Sequence, residues 1–506
     1  MQQELTQKKR EIVEIFLKNG VLVSSELLKE MDESGKISRI FEVLTAKHTE
    51  NLKVTDLDLR ELIHESKSQK IQSANELNIR KAPIDGVKIV YSYKEEPKKR
   101  EPQDFVDYFN NRYKAIEKIL KQRQELKNTV SINKITNKRE KVQAAIIGIV
   151  SDKQITKNGN LLFVLEDPTG QRRVLVNKNK PILFNEAMDI VLDEVIGVVG
   201  VNVDTLIFVN EIIWPDIPAN KELKKAEQEK YALFLSDLHV GSSKFLPDDF
   251  ERFLKWINCD LGNDQQRNIA KNVEYIFIAG DLVDGCGIYP EQDKELSTKD
   301  IYQQYKECAE LLKQVPQHIP LIICPGNHDA LRISEPQPPL SKDFAKPMYE
   351  LNNVVMVSNP SLVNINSSDN FVGFDVLMYH GYSFDYFVAQ VDSLRNKGGY
   401  DRADLIMKFL LRRRHLAPSH PSTLYIPDTK KDPLVIEKIP DFFLSGHIHK
   451  SVTANYRNTT LICGSCWQSK TLFQEKIGHN PQPSRVPVVN LKTRDVKILK
   501  FGQEND

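Results

Sequence analysis

Apolar positions along this chain recur at two different periods, and the change of period divides it. Residues 1–65 carry helical spacing. Ile12, Val13, Ile15 and Phe16 share one face ahead of Gly20, and Leu27, Leu28 and Met31 follow a capping Ser24 or Ser25. Shorter helices would hold Ile40, Phe41, Val43 and Leu44, then Leu59, Leu62 and Ile63. Residues 66–102 turn polar and charged and read as a linker, within which 87–93 is apolar enough for a strand. Helical spacing returns from 103 to about 127 through Phe105, Tyr108, Phe109, Ile116, Ile119 and Leu120.

The period shortens at residue 142. Strand-like runs at 142–150, 161–165, 172–176, 191–201 and 204–213 are broken by the Asn158-Gly159 and Asp167-Pro168-Thr169-Gly170 turns. A short helical stretch, 181–188, falls between the third and fourth runs, which is the order of an OB-fold barrel. Such barrels often bind single strands on basic, aromatic surfaces, but few strand aromatics (Phe163, Phe208) are present, so a packing module is the competing reading. After a charged segment at 220–230, buried runs at 231–235, 275–279, 320–324, 376–379 and 442–444 alternate with helical stretches, as in a layered α/β domain. The expected organisation is a helical interaction domain (1–65), a linker (66–102), a helix plus OB-fold domain (103–220) and an α/β domain (221–506).

Composition adds limits. The 506 residues are 40% apolar and 27% charged, ordinary for a globular protein of about three domains. Lys plus Arg (70) nearly cancels Asp plus Glu (69), so the net charge of +1 points to no partner and any nucleic-acid footprint must be local. The longest apolar runs are strand-sized, too short to span a membrane, and the first residues lack the apolar core of a secretory signal. Six scattered cysteines make no disulfide framework, so a reducing cytoplasm is expected.

The chemistry lies where the α/β strands end. The first is followed by Asp237-Leu238-His239, the second by Gly280-Asp281, the third by Gly326-Asn327-His328-Asp329, the fourth by His380-Gly381 and the fifth by Gly446-His447-Ile448-His449. Ligand sites of open α/β sheets lie beyond the carboxyl ends of strands, so these segments can converge. Asp237, His239, Asp281, Asn327, His380, His447 and His449 form a mixed N/O set without thiolate, which favours borderline divalent ions. They are too many for one catalytic ion with an open position, whereas two ions sharing a carboxylate would use them all. Two ions about 3.5–4 Å apart activate a bridging water and clamp an in-line displacement at phosphorus.

In that order, the five motifs resemble the calcineurin-like metallophosphoesterase superfamily over about 275 residues, from Tyr231 onward. The resemblance implies a four-layer α/β/β/α sandwich. It places Asp237, His239 and His449 on a first metal, Asp281 as the bridge, and Asn327, His380 and His447 on a second. His328 would assist the leaving oxygen, with Asp329 orienting it. The ions would be manganese first, with iron, zinc, nickel or magnesium as alternatives. An OB-fold directly upstream, with residues 409–418 and Gly464-Ser-Cys-Trp-Gln468, is similar to the DNA polymerase B-subunits, and among them to the small subunits of archaeal family-D polymerases. That implies a 3′–5′ proofreading exonuclease acting on DNA 3′ ends alongside a separate large catalytic subunit. The rivals are a non-catalytic scaffold subunit and another phosphoesterase, such as a repair nuclease or nucleotide phosphatase.

Four further features have competing readings. Arg412, Arg413 and Arg414 close a helical stretch and are candidate phosphate contacts, against a solvated basic helix end. Cys463 and Cys466 have redox or zinc spacing but no second pair, and read as structural. Asp284 reads as a loop hydrogen-bonding residue and Trp467 as core or partner-facing.

Overall fold

The computed structural model describes residues 86–94, 98–136, 141–476 and 478–502. The helical module expected at 1–65 and most of the expected linker lie outside the described residues.

The described chain opens with strand β1 (Val87–Ser92) and helix α1 (Pro102–Leu120). Proline occupies the first turn of α1, and Glu101 and Asp104 close a reciprocal capping box. The helix ends at Leu120 and a 3₁₀ turn (Gln124–Leu126) follows, so the helix ends about two turns earlier than the sequence pattern indicates.

Strands β2 (Val142–Ile155), β3 (Leu161–Asp167), β4 (Gly170–Val176), β5 (Val195–Val203) and β6 (Leu206–Ile213) close a barrel in the order β2-β3-β4-β6-β5, with helix α2 (Pro181–Met188) between β4 and β5. Closure removes sheet edges. β2 reaches both neighbours because its ladder shifts register between Val150 and Asp152, pairing with β5 before that point and mostly with β3 after it. In β3 every second side chain points inward, so Leu161, Phe163 and Leu165 enter the barrel core. One face of α1 (Tyr113, Ile116, Leu120) packs on Ile147, Val195 and Ile213 of the barrel, while Tyr108 joins a core of the following domain.

The remaining strands form two six-stranded sheets. They are β7 (Tyr231–Leu235), β8 (Val273–Ala279), β9 (Leu321–Cys324), β10 (Val354–Met356), β11 (Ser361–Ile365), β12 (Phe374–Met378), β13 (Phe442–Ser445), β14 (Val452–Tyr456), β15 (Thr459–Cys463), β16 (Arg485–Asn490) and β17 (Val496–Lys500). One sheet runs β10-β9-β8-β7-β16-β17 and the other β1-β11-β12-β13-β15-β14. Residues 87–92, inside the expected linker, are therefore an edge strand, paired from Val87–Ile365 to Ser92–Ser361. Alternation sorts the side chains. In β7, Ala232 and Phe234 join Val376, Phe442 and Ile462 of the other sheet. Leu233 and Leu235 face the opposite way, onto helices α3 (Pro247–Ile257) and α4 (Ile301–Leu312). β7, β8 and β9 are parallel neighbours, as are β12 and β13. The loops that follow these strands consequently open on one rim.

Candidate metal centre

Each candidate ligand sits two to four residues beyond a strand end, and at five of the seven the backbone is strained. Asp237, His239, Asp281, His447 and His449 all have positive φ, between 51° and 70°. Non-glycine residues visit that region rarely, and such strain persists only where the surroundings impose it. Close packing of the loops is one such constraint. Gly280 (φ +82°) leaves room for the His380 ring, because a Cβ there would lie 2.6 Å from His380 Nδ1. Gly326 likewise admits the backbone and carboxylate of Asp281.

The side chains converge. His239, His449 and Asp237 bring donor atoms within 4.8 Å of one another, and so do Asp237, Asp281 and His380. His239 Nε2 faces His449 Nε2 at 3.0 Å, and His449 Nε2 is 3.5 Å from Asp237 Oδ1. Asp281 lies between the groups, with Oδ2 3.2 Å from His380 Nε2 and 3.9 Å from His239 Nε2. Asn327 Oδ1 meets His380 Nε2 at 3.0 Å and His447 Nδ1 at 2.9 Å. The sequence-chosen set therefore comes together.

The outer nitrogens show which lone pairs face inward. His380 Nδ1 donates to the Ala279 carbonyl (2.7 Å), His239 Nδ1 to Asp284 Oδ1 (3.1 Å) and His447 Nε2 to Asp385 Oδ2 (3.0 Å). Such partners fix the orientation and tautomer of metal-binding imidazoles. In that arrangement the inner nitrogens of His380 and His447 meet the Asn327 oxygen as acceptors, and His380 also meets the Asp281 carboxylate. Repulsion among these atoms is relieved only by positive charge placed among them. The same field acts on protons: burial opposes a charged His380, yet Asp281 and then Asp237 carry its pKa up to about 10. Burial would likewise raise Asp281, but the His380 and His328 imidazoles hold it well below the usual carboxylate range. A cluster of anionic and lone-pair donors without thiolate fits divalent cations.

His328 lies beside this cluster, its ring edge-on to His239 at 4.7 Å. Its orienting partner differs from the expected one. Nδ1 meets the main-chain carbonyl of Asp284 at 2.8 Å, whereas Asp329 turns away to the Gly326 N–H (2.8 Å) and the Tyr305 hydroxyl (3.2 Å). Burial, then the Asp281 charge, push the Asp329 carboxyl up to about 7. Asp329 braces the turn that carries Asn327 and His328.

The arginine run is not available to phosphate as a unit. Arg413 is buried in an ion pair with Glu194 (2.6 Å) and donates to the Asp189 carbonyl. Arg414 is also buried, donating to the Ile436 and Glu437 carbonyls. Arg412 lies over the Trp214 ring at 3.9 Å and reaches Glu186 at 3.3 Å. These arginines end helix α5 (Ala403–Arg413), and Arg412 and Arg413 join the sandwich to the barrel; a helix end that the sequence offers as a phosphate contact or a solvated face is a domain contact. Cys463 and Cys466 are buried thiols raised by desolvation, and Trp467 packs against Phe250 and Phe253.

Sequence reasoning named Asp284 as a loop hydrogen-bonding residue but missed the other outer residues. Asp284 also accepts from Gln292 (2.9 Å) and Gln468 (2.8 Å), and Gln474 reaches His449 Nδ1 at 2.9 Å. Gln468 falls within the Gly464–Gln468 stretch that the sequence does mark; Asp385, Gln292 and Gln474 carry no local signal.

Fold and site together define a multidomain α/β protein with a strand-end cluster of metal-competent side chains. The family profile of the DNA polymerase alpha/epsilon B subunit matches residues 232–453. The chain is 39% identical to the DNA polymerase II small subunit of Methanothermobacter thermautotrophicus over 399 residues, which is 79% of each chain. It is 39% identical to that of Methanocaldococcus jannaschii over 77% of this chain and 64% of the relative, and 37% identical to that of Pyrococcus furiosus over 79% and 64%. The chain belongs to the family of DNA polymerase II small subunits. A solved archaeal phosphodiesterase aligns with 53% of this chain at 11% identity and a TM-score of 0.26, too loose to bear on function.

Proposed function

We propose that this chain is the 3′–5′ exonuclease subunit of a heteromeric replicative DNA polymerase, hydrolysing 3′-terminal phosphodiesters beside a large catalytic subunit. The observation that carries the reading is the convergence of four histidines, two aspartates and an asparagine from five strand-end loops, with the outer nitrogens of three of the histidines tied down. Asp237, His239 and His449 would hold one divalent ion and Asn327, His380 and His447 a second, with Asp281 between them. Ions held there would supply Lewis acidity at the phosphoryl oxygens and a water activated near neutral pH.

The chain's own residues do the rest. Asp284, Ala279 and Asp385 hold the imidazoles in register, so little reorganisation accompanies reaction. With Nδ1 of His328 committed to the Asp284 carbonyl, Nε2 is the nitrogen left to meet a leaving oxygen. We assign the barrel to packing and partner contact, and the two sheets with their flanking helices to a four-layer phosphoesterase sandwich. Purified chain with manganese and a 5′-labelled single strand should give a shortening ladder that EDTA, Asp281→Ala and His449→Ala each abolish. A folded His449→Ala chain that degrades DNA at the parent rate would refute the assignment. No ladder even with the large subunit added, together with no stoichiometric metal uptake, would favour a scaffold role.

A further inference from the structure

The centre is flanked by an aromatic platform that the hydrolytic machinery leaves unused. Tyr289, in the loop after Asp284, stacks on Phe473 with ring centroids 5.3 Å apart and planes 24° from parallel. Tyr289 lies 6.2 Å from the His328 ring, which in turn meets His239. Phe473 and its neighbour Leu472 are 38% and 56% exposed, an apolar surface at the margin of a polar site. The pair comes from segments nearly two hundred residues apart, and one buried carboxylate ties them. Glu295 accepts the Leu472 N–H at 3.1 Å and lies 3.5 Å from the Tyr289 hydroxyl. The residue after Phe473, Gln474, holds His449, so platform and centre share one short segment. The opposite flank differs: Tyr382 is half-buried beside His447, and Tyr400 packs on His479.

We propose that Tyr289 and Phe473 form a stacking subsite for the terminal base of an unpaired 3′ strand whose last phosphodiester enters the centre. This rests on the exonuclease reading and names its substrate: a frayed or single-stranded end, accepted whatever its base. Every base presents a π face, and the platform's exposed part carries no hydrogen-bonding group at Phe473 or Leu472 to read base edges. A paired terminal base, stacked in its duplex, would have to unpair first.

The test uses the full chain with manganese. The probe is a single strand ending in a 3′ 2-aminopurine joined by a hydrolysis-resistant phosphorothioate; a control strand carries the fluorophore at its 5′ end. The 3′ probe should be quenched on binding and the 5′ probe should not. Phe473→Ala and Tyr289→Leu should abolish the quench, and Phe473→Tyr should keep it. The parent chain should bind a base-ended strand about tenfold more tightly than one ending in an abasic residue, and Phe473→Ala should bring that ratio to one. Equal quenching of both probes, no quenching, or quenching retained in Phe473→Ala would overturn the proposal. So would variants that quench normally but lose retention by the large subunit, which would make the patch a protein contact. Quenching without a shortening ladder on an ordinary oligonucleotide, even with the large subunit added, would refute the exonuclease reading and leave the subsite standing; a ladder without quenching would do the reverse.

Discussion

Arg112 is the sharpest place to perturb the joint between the barrel and the sandwich. It projects from α1 and is fully buried, with Nε 2.7 Å from Asp432 Oδ2, Nη1 2.6 Å from the Pro418 carbonyl and the guanidinium 4.7 Å from the Phe109 ring. Asp432 has three further donors: the Tyr108 hydroxyl (2.7 Å), His415 Nε2 (2.8 Å) and the Leu434 N–H (2.9 Å). Arg112→Met leaves a buried carboxylate with neutral partners. Removing one member of a buried ion pair costs ~3–5 kcal/mol, and the three remaining donors put the expected loss near the lower figure. Urea unfolding followed by fluorescence reads it, because Trp214 belongs to the barrel core while Trp256 and Trp467 belong to the sandwich core. The transitions should separate, since the broken ion pair ties α1, which packs on the barrel through Tyr113, Ile116 and Leu120, to the sandwich loop that carries Asp432. The variant should also alter acid stability. His415 Nδ1 accepts the Ala417 N–H at 3.0 Å, so the ring is the neutral Nε2–H tautomer. Burial, then Arg112, depress its pKa from 6.5 to about 4. A group depressed in the folded state is protonated first in the unfolded chain, so stability should fall as pH drops from about 7 toward 4, by at most about 3 kcal/mol. Losing the Arg112 charge should shrink that loss. A single shared transition, within about 0.5 kcal/mol of the parent and with unchanged pH dependence, would refute the reasoning.

Three other outcomes follow from the geometry. Asp284→Ala frees the outer nitrogen of His239 and should weaken manganese binding about 10–100-fold by calorimetry, while the chain keeps its circular dichroism spectrum. Gly326→Ala would drive a methyl group against the Asp281 carboxylate and its backbone nitrogen, so metal uptake should fail before global stability does; uptake equal to the parent's would contradict this. Arg413→Met should cost ~3 kcal/mol in urea, whereas Arg412→Ala, a half-exposed partner of Glu186, should cost less than about 1 kcal/mol. Arg413→Met should leave the salt dependence of DNA binding unaltered; a shallower slope would restore it as a phosphate contact.

What the sequence by itself determined is local in origin. A period of two marks the barrel strands, buried runs mark β7, β8, β9, β12 and β13, and the ligands follow those runs within four residues, so strand ends and donors appear in one short window. Tertiary structure alone decided which groups hold those donors in place. Asp385, Gln474 and the Asp284 carbonyl reach His447, His449 and His328 across spacings that no motif encodes, and Asp329, though adjacent in sequence to His328, points to Tyr305 instead. The same holds for charge. A basic helix end and a surface arginine look alike in a string of letters, because burial is a property of the neighbouring elements. Only when α5 packs against the barrel does Arg413 become a buried partner of Glu194. Likewise β1 is an edge strand only because β11 offers an unpaired ladder beside it. Donor identity travels with the residue, whereas orientation and desolvation come from whatever packs against it.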